Sequence, residues 1–417
     1  MGAAAATLAI LVLFGLGLQI FQSLNLVRIF RAYRPVGLSN DEFPSCAVVL
    51  CLRGCDPGLA ENIENLLDQE YPDFHLYFVV DSNLDPAVAV VQQVLADRPG
   101  AAATLRVVEP ATSECSLIAN HHSIVLPELA QQYEFLALVD ADAATWPKWL
   151  RTLVTPLVNS ELSIVYGNRW YMPTSASVAS LTRFIWNYGS VQQMVFFQYP
   201  WGGSLAMKGE FALLPEFSQA LRKSFGNDTP MFALAKSAGM KVAFHPGMML
   251  INQEKTRFLD FFRWMIRQLL HGRLYHPTWP IVLGTGAVTA VVIVLSMIVN
   301  SYNLIVGDWN AVLILTSALA AYWFVWVAFV FHLDHTVSRL IRDRGGPKRW
   351  WTLATAMKIC LVAPLVQCVY LAGMLSVITL RRVSWRGVDY EINGPFKVRM
   401  MNYRPYTVNV LGDETIL

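Results

Sequence analysis

The sequence predicts an α/β domain with a mostly parallel sheet, flanked at both ends by apolar helices that cross a membrane. The first observation is composition: of the 417 residues, 54% are hydrophobic and only 15% are charged, with a mean hydropathy of +0.39. That is too apolar for a purely soluble enzyme. The second is that the apolar excess lies in residues 3–22 and after Pro280. The third is that strand-like and helix-like segments alternate between these two regions, which is typical of an α/β domain.

The N-terminal apolar segment, residues 3–22, is uncharged. It is long enough to span a bilayer, for which about 20 residues suffice. A cleaved signal peptide carries positive charge before its apolar part, and here the arginines Arg28, Arg31 and Arg34 follow it instead. Because basic residues flank membrane helices on the cytoplasmic side, we expect residues 1–30 to be an anchor with its N-terminus outside.

The central region, residues 31–250, alternates between two periodicities. We predict strands over 46–52, 74–80, 103–108 and 135–139, and helices over 59–67, 87–95 and 116–132. Strand–helix–strand units at this spacing predict parallel strands. No glycine-rich phosphate loop follows the first strand, which argues against a dinucleotide dehydrogenase and against a P-loop nucleotidase.

Acidic residues follow two of the predicted strands. Asp81 follows the second strand, and Asp140 and Asp142 follow the fourth, FLALV. Ligands collect where parallel strands end, and alternate residues there share one face. Mg²⁺ and Mn²⁺ prefer one or two carboxylates plus phosphate oxygens, so the pair is a candidate metal site. An acidic turn in which Asp140 caps the next helix is an equally good interpretation of these residues alone.

The stretch CAVVLCLRGCDPGLAENIENLLDQEYPDFHLYFVVDSNLDPA, residues 46–87, resembles the opening of inverting family-2-type glycosyltransferases of the A fold. It is most similar to the ceramide glucosyltransferase branch (family 21), and matching stretches continue from about residue 44 to the C-terminal tail. The resemblance implies a glycosyltransferase A-type domain that binds a UDP-sugar. It implies that Asp81, with Asp85 close behind, holds the uracil. It further implies that Asp140 holds the ribose and, with Asp142, a Mg²⁺ or Mn²⁺ ion.

Two later stretches, VYGNRWYMP and the turn at residues 201–204, also resemble the family. Asn227 and Asp228 stand where the family carries paired acids, which implies that Asp228 is the general base. Inverting transfer requires one carboxylate to accept the proton of the attacking hydroxyl. The other interpretation of Asp228 is a helix start, which the sequence Asp-Thr-Pro favours.

A basic, aromatic helix is predicted within residues 251–280, where apolar residues recur at helical spacing. Such a helix lies in the headgroup region of a membrane. Arg263 and Trp264 resemble the last two residues of the family motif Q/R-x-x-R-W. This implies that Arg263 neutralises the pyrophosphate and that Trp264 packs at the acceptor end. The sequence departs from the motif at Asp260, where the family has Gln or Arg.

The C-terminal membrane region, residues 281–380, contains spans at 281–300 and 311–331 and a longer apolar stretch with Pro364 at 351–380. The link between the last two is predicted to be cytoplasmic from its basic residues: Arg339, Arg342, Arg344, Lys348 and Arg349. Four spans would leave the tail, residues 381–417, outside. Its first arginines favour the inside: Arg381, Arg382 and Arg386. A hairpin or re-entrant path around Pro364 would reconcile the two.

The resemblance implies a multi-pass membrane glycosyltransferase with its catalytic domain in the cytoplasm. It would move a single sugar, glucose by resemblance, from a UDP-sugar to a lipid hydroxyl such as that of ceramide or diacylglycerol. Three alternatives stay open: a processive polysaccharide synthase, a polyprenyl-phosphate sugar transferase, which needs no general base, and a degenerate membrane scaffold. The sequence has no basic stripe interleaved with aromatic residues, so it does not predict a nucleic-acid partner. The sequence does not determine the oligomeric state.

Overall fold

The computed structural model of the protein describes residues 2–347 and 350–406. Lys348 and Arg349 of the basic link, and residues 407–417 of the tail, lie outside the described residues. The larger of two sheets is formed by Cys46–Cys51 (β1), Phe74–Val80 (β2), Ala103–Val107 (β3), Phe135–Val139 (β4), Leu162–Tyr171 (β5), Ser204–Lys208 (β6) and Lys241–Asn252 (β7). The smaller sheet is formed by Arg382–Trp385 (β8), Val388–Ile392 (β9) and Val398–Met400 (β10).

Thirteen α-helices are present in the described part of the chain. They are Gly2–Ala32 (α1), Leu59–Leu67 (α2), Pro86–Asp97 (α3), Leu117–Leu129 (α4), Trp149–Val154 (α5), Val178–Phe197 (α6), Gly209–Ala212 (α7), Pro215–Leu221 (α8), Asp228–Ser237 (α9), Phe258–Tyr275 (α10), Trp279–Val306 (α11), Trp309–Arg342 (α12) and Leu353–Thr379 (α13). We refer to α2–α9 with β1–β7 as the α/β domain.

The large sheet has the order β3-β2-β1-β4-β6-β5-β7 and is mostly parallel. Strand β1 pairs in parallel with β2 and β4, β2 with β3, and β5 with β7, whereas β6 runs antiparallel to both of its neighbours. The predicted fold class, an α/β domain with a mostly parallel sheet between apolar terminal helices, is therefore confirmed.

Both faces of the central strands are covered, which explains their continuous apolar sequences. In β1, Val48 and Leu50 belong to one apolar core and Ala47 and Val49 to another, because successive side chains point to opposite faces. Every residue of β4 is buried. Parallel strands of this kind are covered by helices on both sides. As a result, polar side chains concentrate at the strand ends.

Four helices in the described residues are long and apolar enough to cross a membrane: α1, α11, α12 and α13. Helix α1 packs along α12, and large apolar side chains such as Phe14 and Phe21 remain exposed on its other faces. In water such surfaces would be costly, whereas acyl chains cover them without cost. The protein is therefore an integral membrane protein.

Both ends of α13 lie on the side of the α/β domain. Before the helix, Arg344 donates to the carbonyl of Gly247 on β7 at 2.8 Å, and Trp350 packs against Phe184 on α6. After it, Arg386 forms an ion pair with a carboxylate of the α/β domain, that of Asp56. A helix that crosses a bilayer has its ends on opposite sides. Both ends of α13 are instead held on the side of the α/β domain, and the helix packs against α6 and α10.

The chain makes no hairpin at Pro364, the path that would have reconciled the span count with the basic tail, because α13 continues unbroken through this residue. Apolar surroundings favour an intact helix, in which a proline removes only one hydrogen-bond donor. The tail nevertheless returns to the α/β domain, on the side that its arginines favoured. The position of the tail is therefore set by the direction of the entire α13 helix and not by a turn at Pro364.

A buried carboxylate on α12 joins the membrane helices to the sheet. Asp334 is 2% exposed and accepts three indole hydrogen bonds: Oδ1 from Trp170 on β5 at 2.9 Å and from Trp350 at 3.0 Å, and Oδ2 from Trp351 at 2.9 Å. A buried charge requires such partners. The contact fixes the end of β5 against α12.

We expect Asp334→Asn to lower the apparent melting temperature of the detergent-purified protein. An asparagine offers one acceptor oxygen, so the Trp351 indole N–H would face an amide NH₂ group, and an unmatched buried donor costs about 1–3 kcal/mol. Asp343→Asn, at an exposed position just beyond the same helix, is the matched control. Equal melting temperatures for the two variants and the unmodified protein would contradict this role.

Candidate active site

A cavity of about 270 Å³ lies at the carboxyl ends of β1 and β4. Helices α4, α6 and α10, the start of α11 and the β8–β9 hairpin form its other walls. The lining includes four carboxylates and four arginines together with apolar and aromatic side chains: Asp56, Asp140, Asp142, Asp228, Arg53, Arg169, Arg267, Arg386, Trp186, Trp201, Trp264, Trp279 and Val282. Charged groups and an apolar wall thus share one space.

The two acids after β4 converge on one positive group. Arg169 on β5 forms ion pairs with both Asp140 and Asp142, and the Nη1–Oδ2 distance to Asp142 is 3.2 Å. The Trp201 ring lies 4.9 Å from the guanidinium carbon. Burial raises the pKa of Asp140, and the charge of Arg169 opposes this. A Cβ at Gly203 would clash with Asp140 and Trp201, so this turn requires glycine.

Asp228 lies at the first position of α9 and also lines the cavity, so the two interpretations of this residue are compatible. Its Oδ1 accepts from the Thr229 N–H at 2.6 Å, and its Oδ2 accepts from the Gly202 N–H at 2.9 Å. The backbone of the Gly202 turn therefore fixes the orientation of this carboxylate toward the cavity.

His271 on α10 lines the same cavity. Within the described residues its Nε2 has no hydrogen-bond partner, and a Cβ at Gly226 would lie 3.2 Å from this nitrogen. Burial lowers the pKa of His271 to about 4, against the opposing charge of Asp228. The imidazole is therefore neutral at physiological pH.

Helix α10 presents Trp264 and Arg267 to the cavity but not Arg263, which is exposed. Residues three and four apart share a helix face, whereas Arg263 is turned about 100° from Trp264. The expectation that Arg263 lies in the site is therefore wrong, and the arginine that this helix presents to the cavity is Arg267. The Arg267 guanidinium lies 5.0 Å from the Trp385 ring, and burial lowers its pKa to about 9. No carboxylate in the described part of the chain forms an ion pair with it.

Asp81 and Asp85 do not line the cavity. Asp81 is fully buried and forms an ion pair with Arg53, and its Oδ2 accepts from the Tyr403 hydroxyl at 2.9 Å. Its Oδ1 has no partner among the described residues. Asp85 caps α3 by accepting from the Ala87 N–H at 2.9 Å and also accepts from a backbone N–H in the turn after β1. Asp85 therefore stabilises local structure. Asp81 has one carboxylate oxygen, Oδ1, without a hydrogen-bond donor among the described residues, and the tail residue Tyr403 contacts its other oxygen.

The sequence matches the family described as Glycosyl transferase family 21 over residues 7–395. The chain belongs to glycosyltransferase family 21. The resemblance stated from the sequence is confirmed, and the protein is a glycosyltransferase that takes its sugar from a nucleotide sugar. No curated protein matches the chain.

Two solved structures show low similarity to this family 21 enzyme. The mannosyltransferase PcManGT from Pyrobaculum calidifontis, in complex with GDP-Man and Mn²⁺, is 15% identical, with a TM-score of 0.48 over 90% of this chain and 99% of that chain. Glucosyl-3-phosphoglycerate synthase from Mycobacterium tuberculosis, in complex with Mn²⁺, UDP and phosphoglyceric acid, is 14% identical, with a TM-score of 0.36 over 58% of this chain and 84% of that chain.

The tail of the family 21 enzyme closes over the edge of the cavity. Arg386, at a φ of 51° in the β8–β9 turn, donates to both oxygens of Asp56 at 2.8 and 2.9 Å. Arg53 in turn donates to the carbonyls of Arg386 at 2.8 Å and Arg404 at 2.7 Å. This interlocked pair of arginines holds the tail beside Asp81.

Sequence reasoning missed the arginines of the site and His271. Arg267 was detectable, because it lies three residues after Trp264 on one helix face. Arg169 stands inside the stretch VYGNRWYMP, and Arg386 precedes a glycine in a two-residue turn, which is a hairpin signal. Neither pattern indicates which acids these side chains contact.

Proposed function

We propose that this family 21 enzyme transfers a single sugar, glucose, from a UDP-sugar to the hydroxyl of a membrane lipid, with inversion at the anomeric carbon. The observation that carries the proposal is the continuity of the cavity. It extends from Asp140 and Asp142 to Trp279 and Val282, which belong to a helix long and apolar enough to cross a membrane. A water-soluble donor and an amphiphilic acceptor therefore meet in one space.

The donor end fits a divalent cation held by two carboxylates. Asp140 and Asp142 already hold one cationic group between them. No group of three or more potential ligands from His, Cys, Asp or Glu occurs in residues 2–347 and 350–406. Mg²⁺ is typically bound in this way, by one or two carboxylates, with substrate phosphates and water completing its shell. When bound, the ion stabilises the negative charge of the leaving UDP.

Arg267 neutralises the pyrophosphate from the other side of the cavity. Its guanidinium is held against Trp385 and has no carboxylate of its own in the described residues, so its charge is available to a ligand. A guanidinium binds phosphate oxygens through parallel hydrogen bonds. Asp81, with its free Oδ1 acceptor, remains the proposed partner of the uracil N–H, once Tyr403 has moved from its carboxylate.

Asp228 accepts the proton of the acceptor hydroxyl as that oxygen attacks the anomeric carbon. The Gly202 N–H orients its carboxylate, and the neutral His271 beside it adds no competing positive charge. Proton transfer to a positioned base requires hydrogen-bond reach from the reacting hydroxyl. Asp228 lines the cavity that also contains the proposed acceptor wall, which supports this role.

The acceptor end is formed by α6 and α11. Trp186, Ser190 and Gln193 of α6 line it together with Trp279. The few polar groups are held in place, as Gln193 donates to the Tyr370 hydroxyl of α13 at 3.3 Å. Apolar walls with a few fixed polar groups are typical of sites for amphiphilic ligands. Ceramide or diacylglycerol fits such a wall and presents its hydroxyl without leaving the bilayer.

The catalytic domain is proposed to face the cytoplasm. Arg28, Arg31 and Arg34 flank α1 on the side of the α/β domain, and Arg339 and Arg342 lie in the last turns of α12 on that same side. Basic residues mark the cytoplasmic ends of membrane helices. UDP-sugars would then reach the donor end directly from the cytosol.

Replacement of Arg267 by Gln is expected to raise the KM for the UDP-sugar about 10- to 100-fold, because a charge-assisted contact with phosphate contributes about 1.5–3 kcal/mol. Arg263→Gln, on the same helix but outside the cavity, is the matched control and is expected to leave this KM unchanged. Steady-state kinetics with varied donor distinguishes them. A larger effect of Arg263→Gln would restore the assignment made from the sequence.

The function is tested with the full-length protein in lipid nanodiscs, supplied with labelled UDP-glucose or UDP-galactose and Mg²⁺ or Mn²⁺. Ceramide, diacylglycerol and a polyprenyl phosphate are offered as separate acceptors. The expected product is a lipid with one sugar in β linkage, made from ceramide or diacylglycerol. A polymeric product would indicate a polysaccharide synthase. Transfer to the polyprenyl phosphate alone would indicate a polyprenyl-phosphate sugar transferase. Absence of both transfer and UDP binding would indicate a membrane scaffold.

A further inference from the structure

We propose that Arg169 is an internal counter-cation for Asp140 and Asp142, and that it makes the binding of a divalent cation conditional on the simultaneous binding of a nucleoside diphosphate. The inference rests on the proposed function, since it concerns the donor end of the same cavity. It assigns a role to a residue between the two candidate metal ligands.

The guanidinium of Arg169 engages most of the acceptor capacity of the two acids. Its Nη2 binds Oδ2 of Asp140 and lies 3.3 Å from Oδ1 of Asp142, while its Nη1 lies 3.2 Å from Oδ2 of Asp142. Both oxygens of Asp142 therefore face the guanidinium. A divalent cation cannot take the same oxygens while Arg169 bridges the two carboxylates.

Contacts with several other residues hold Arg169 in place. Its backbone N–H donates to the Asn168 side chain at 2.7 Å, and its carbonyl accepts from the Asn187 side chain at 2.9 Å. The next residue, Trp170, is bonded to Asp334 of α12. The Trp201 ring, 4.9 Å away, covers the guanidinium. Only 17% of the Arg169 side chain is exposed.

Charge explains why the cation and the diphosphate would bind together. The two carboxylates carry a charge of −2 when ionised, and Arg169 reduces it to −1 and also repels an arriving cation. A diphosphate supplies the missing negative charge and offers oxygens that a guanidinium binds bidentately. Arg169 can then exchange a carboxylate for a phosphate as the cation takes its place. Arg267 already lacks a carboxylate partner in the described residues and requires no such exchange.

The test is a Mn²⁺ titration of the full-length protein in phosphatidylcholine nanodiscs at pH 8, with free Mn²⁺ measured by electron paramagnetic resonance. Without nucleotide we expect the unmodified protein to bind Mn²⁺ weakly and Arg169→Gln to bind it about tenfold more tightly, since a competing positive charge is removed. Addition of UDP is expected to tighten Mn²⁺ binding strongly in the unmodified protein and about tenfold less in Arg169→Gln.

Three variants locate the effect. Arg169→Lys retains a positive charge and is expected to bind Mn²⁺ alone nearly as weakly as the unmodified protein. The double variant Arg169→Gln/Asp142→Asn is expected to lose the gain in affinity, because the gain requires the carboxylate pair. Arg263→Gln removes an exposed arginine outside the cavity and is expected to change nothing.

A folded Arg169→Gln protein that binds Mn²⁺ alone no more tightly than the unmodified protein would overturn the proposal. If that variant does not fold, the unmodified protein decides, since UDP that binds without changing the Mn²⁺ affinity would overturn the proposal as well. Failure of the proposed function has a different signature. In that case UDP neither binds nor is turned over, whereas the Arg169→Gln comparison without nucleotide still gives its result.

Discussion

Asp228→Asn is expected to lower kcat for lipid glycosylation by about 10²–10⁴-fold, the usual contribution of a positioned general base. The attacking oxygen is a neutral hydroxyl, so its proton must leave as the bond to the sugar forms. An asparagine cannot accept that proton. The residues proposed to bind the donor are Asp140, Asp142 and Arg267, so the dissociation constant for UDP is expected to remain within about threefold of the original value.

The measurement separates chemistry from binding. Initial rates at saturating donor and acceptor give kcat, and calorimetry with UDP and Mn²⁺ gives donor affinity. Because Asp228 also accepts from Gly202 and Thr229 at the start of α9, the melting temperature is recorded for each variant. Thr229→Ala is the matched control. It removes the 3.2 Å hydrogen bond from its hydroxyl to Asp228 but keeps the carboxylate, and it is expected to reduce kcat less than tenfold.

Two outcomes would contradict the proposed role of Asp228 as general base. If Asp228→Asn retains kcat within a factor of three, another group accepts the proton or the acceptor is already anionic. If UDP affinity falls as much as kcat, the role of Asp228 is to hold the Gly202 turn and not to take part in the chemistry. Full activity of the variant on a polyprenyl phosphate would identify that acceptor class directly.

The parts of the fold that depend on local sequence were predictable. The bounds of β2 and β4 agree with the predicted 74–80 and 135–139, because apolar stretches there end abruptly at charged or turn residues. The order of the sheet was not predictable. Strand β6 lies between β4 and β5 and antiparallel to both, and nothing within residues 204–208 specifies this. Such pairings are decided by packing between distant segments.

The candidate site shows the same division. Its acids were found because a strand end is a local feature, and Asp140, Asp142 and Asp228 line one cavity. Arg169 and Arg386 were missed because their partners are remote in the sequence. Arg386 reaches Asp56 across 330 positions, and Arg169 reaches Asp140 from a strand that is not its neighbour in the sheet. The motif on α10 indicated a helix that lines the cavity, but Arg263 lies outside the cavity and Arg267 lines it, since a pattern of two residues does not fix which face is buried.

Asp142→Asn is expected to reduce glycosyl transfer about 10²–10³-fold, a loss typical for removal of one group that stabilises developing charge. Asp142 and Asp140 are the two carboxylates that face each other across Arg169. With one of them removed, the remaining charge of −1 is balanced by the guanidinium, and a divalent cation has little to bind. UDP affinity is therefore expected to lose its dependence on Mn²⁺, which calorimetry with and without Mn²⁺ measures directly.

The control for Asp142→Asn is Asp97→Asn, at an exposed position at the end of α3, for which no change is expected. Retention of full activity by Asp142→Asn, or of full activity by the unmodified protein in the presence of a chelator, would contradict a metal at this pair. The charge of the leaving UDP would then rest on Arg169 and Arg267. The two aspartate variants are thus expected to fail differently. Asp142→Asn loses metal-dependent donor binding, whereas Asp228→Asn binds the donor and fails at the transfer itself, because the first carboxylate is proposed to hold the cation and the second to accept the proton.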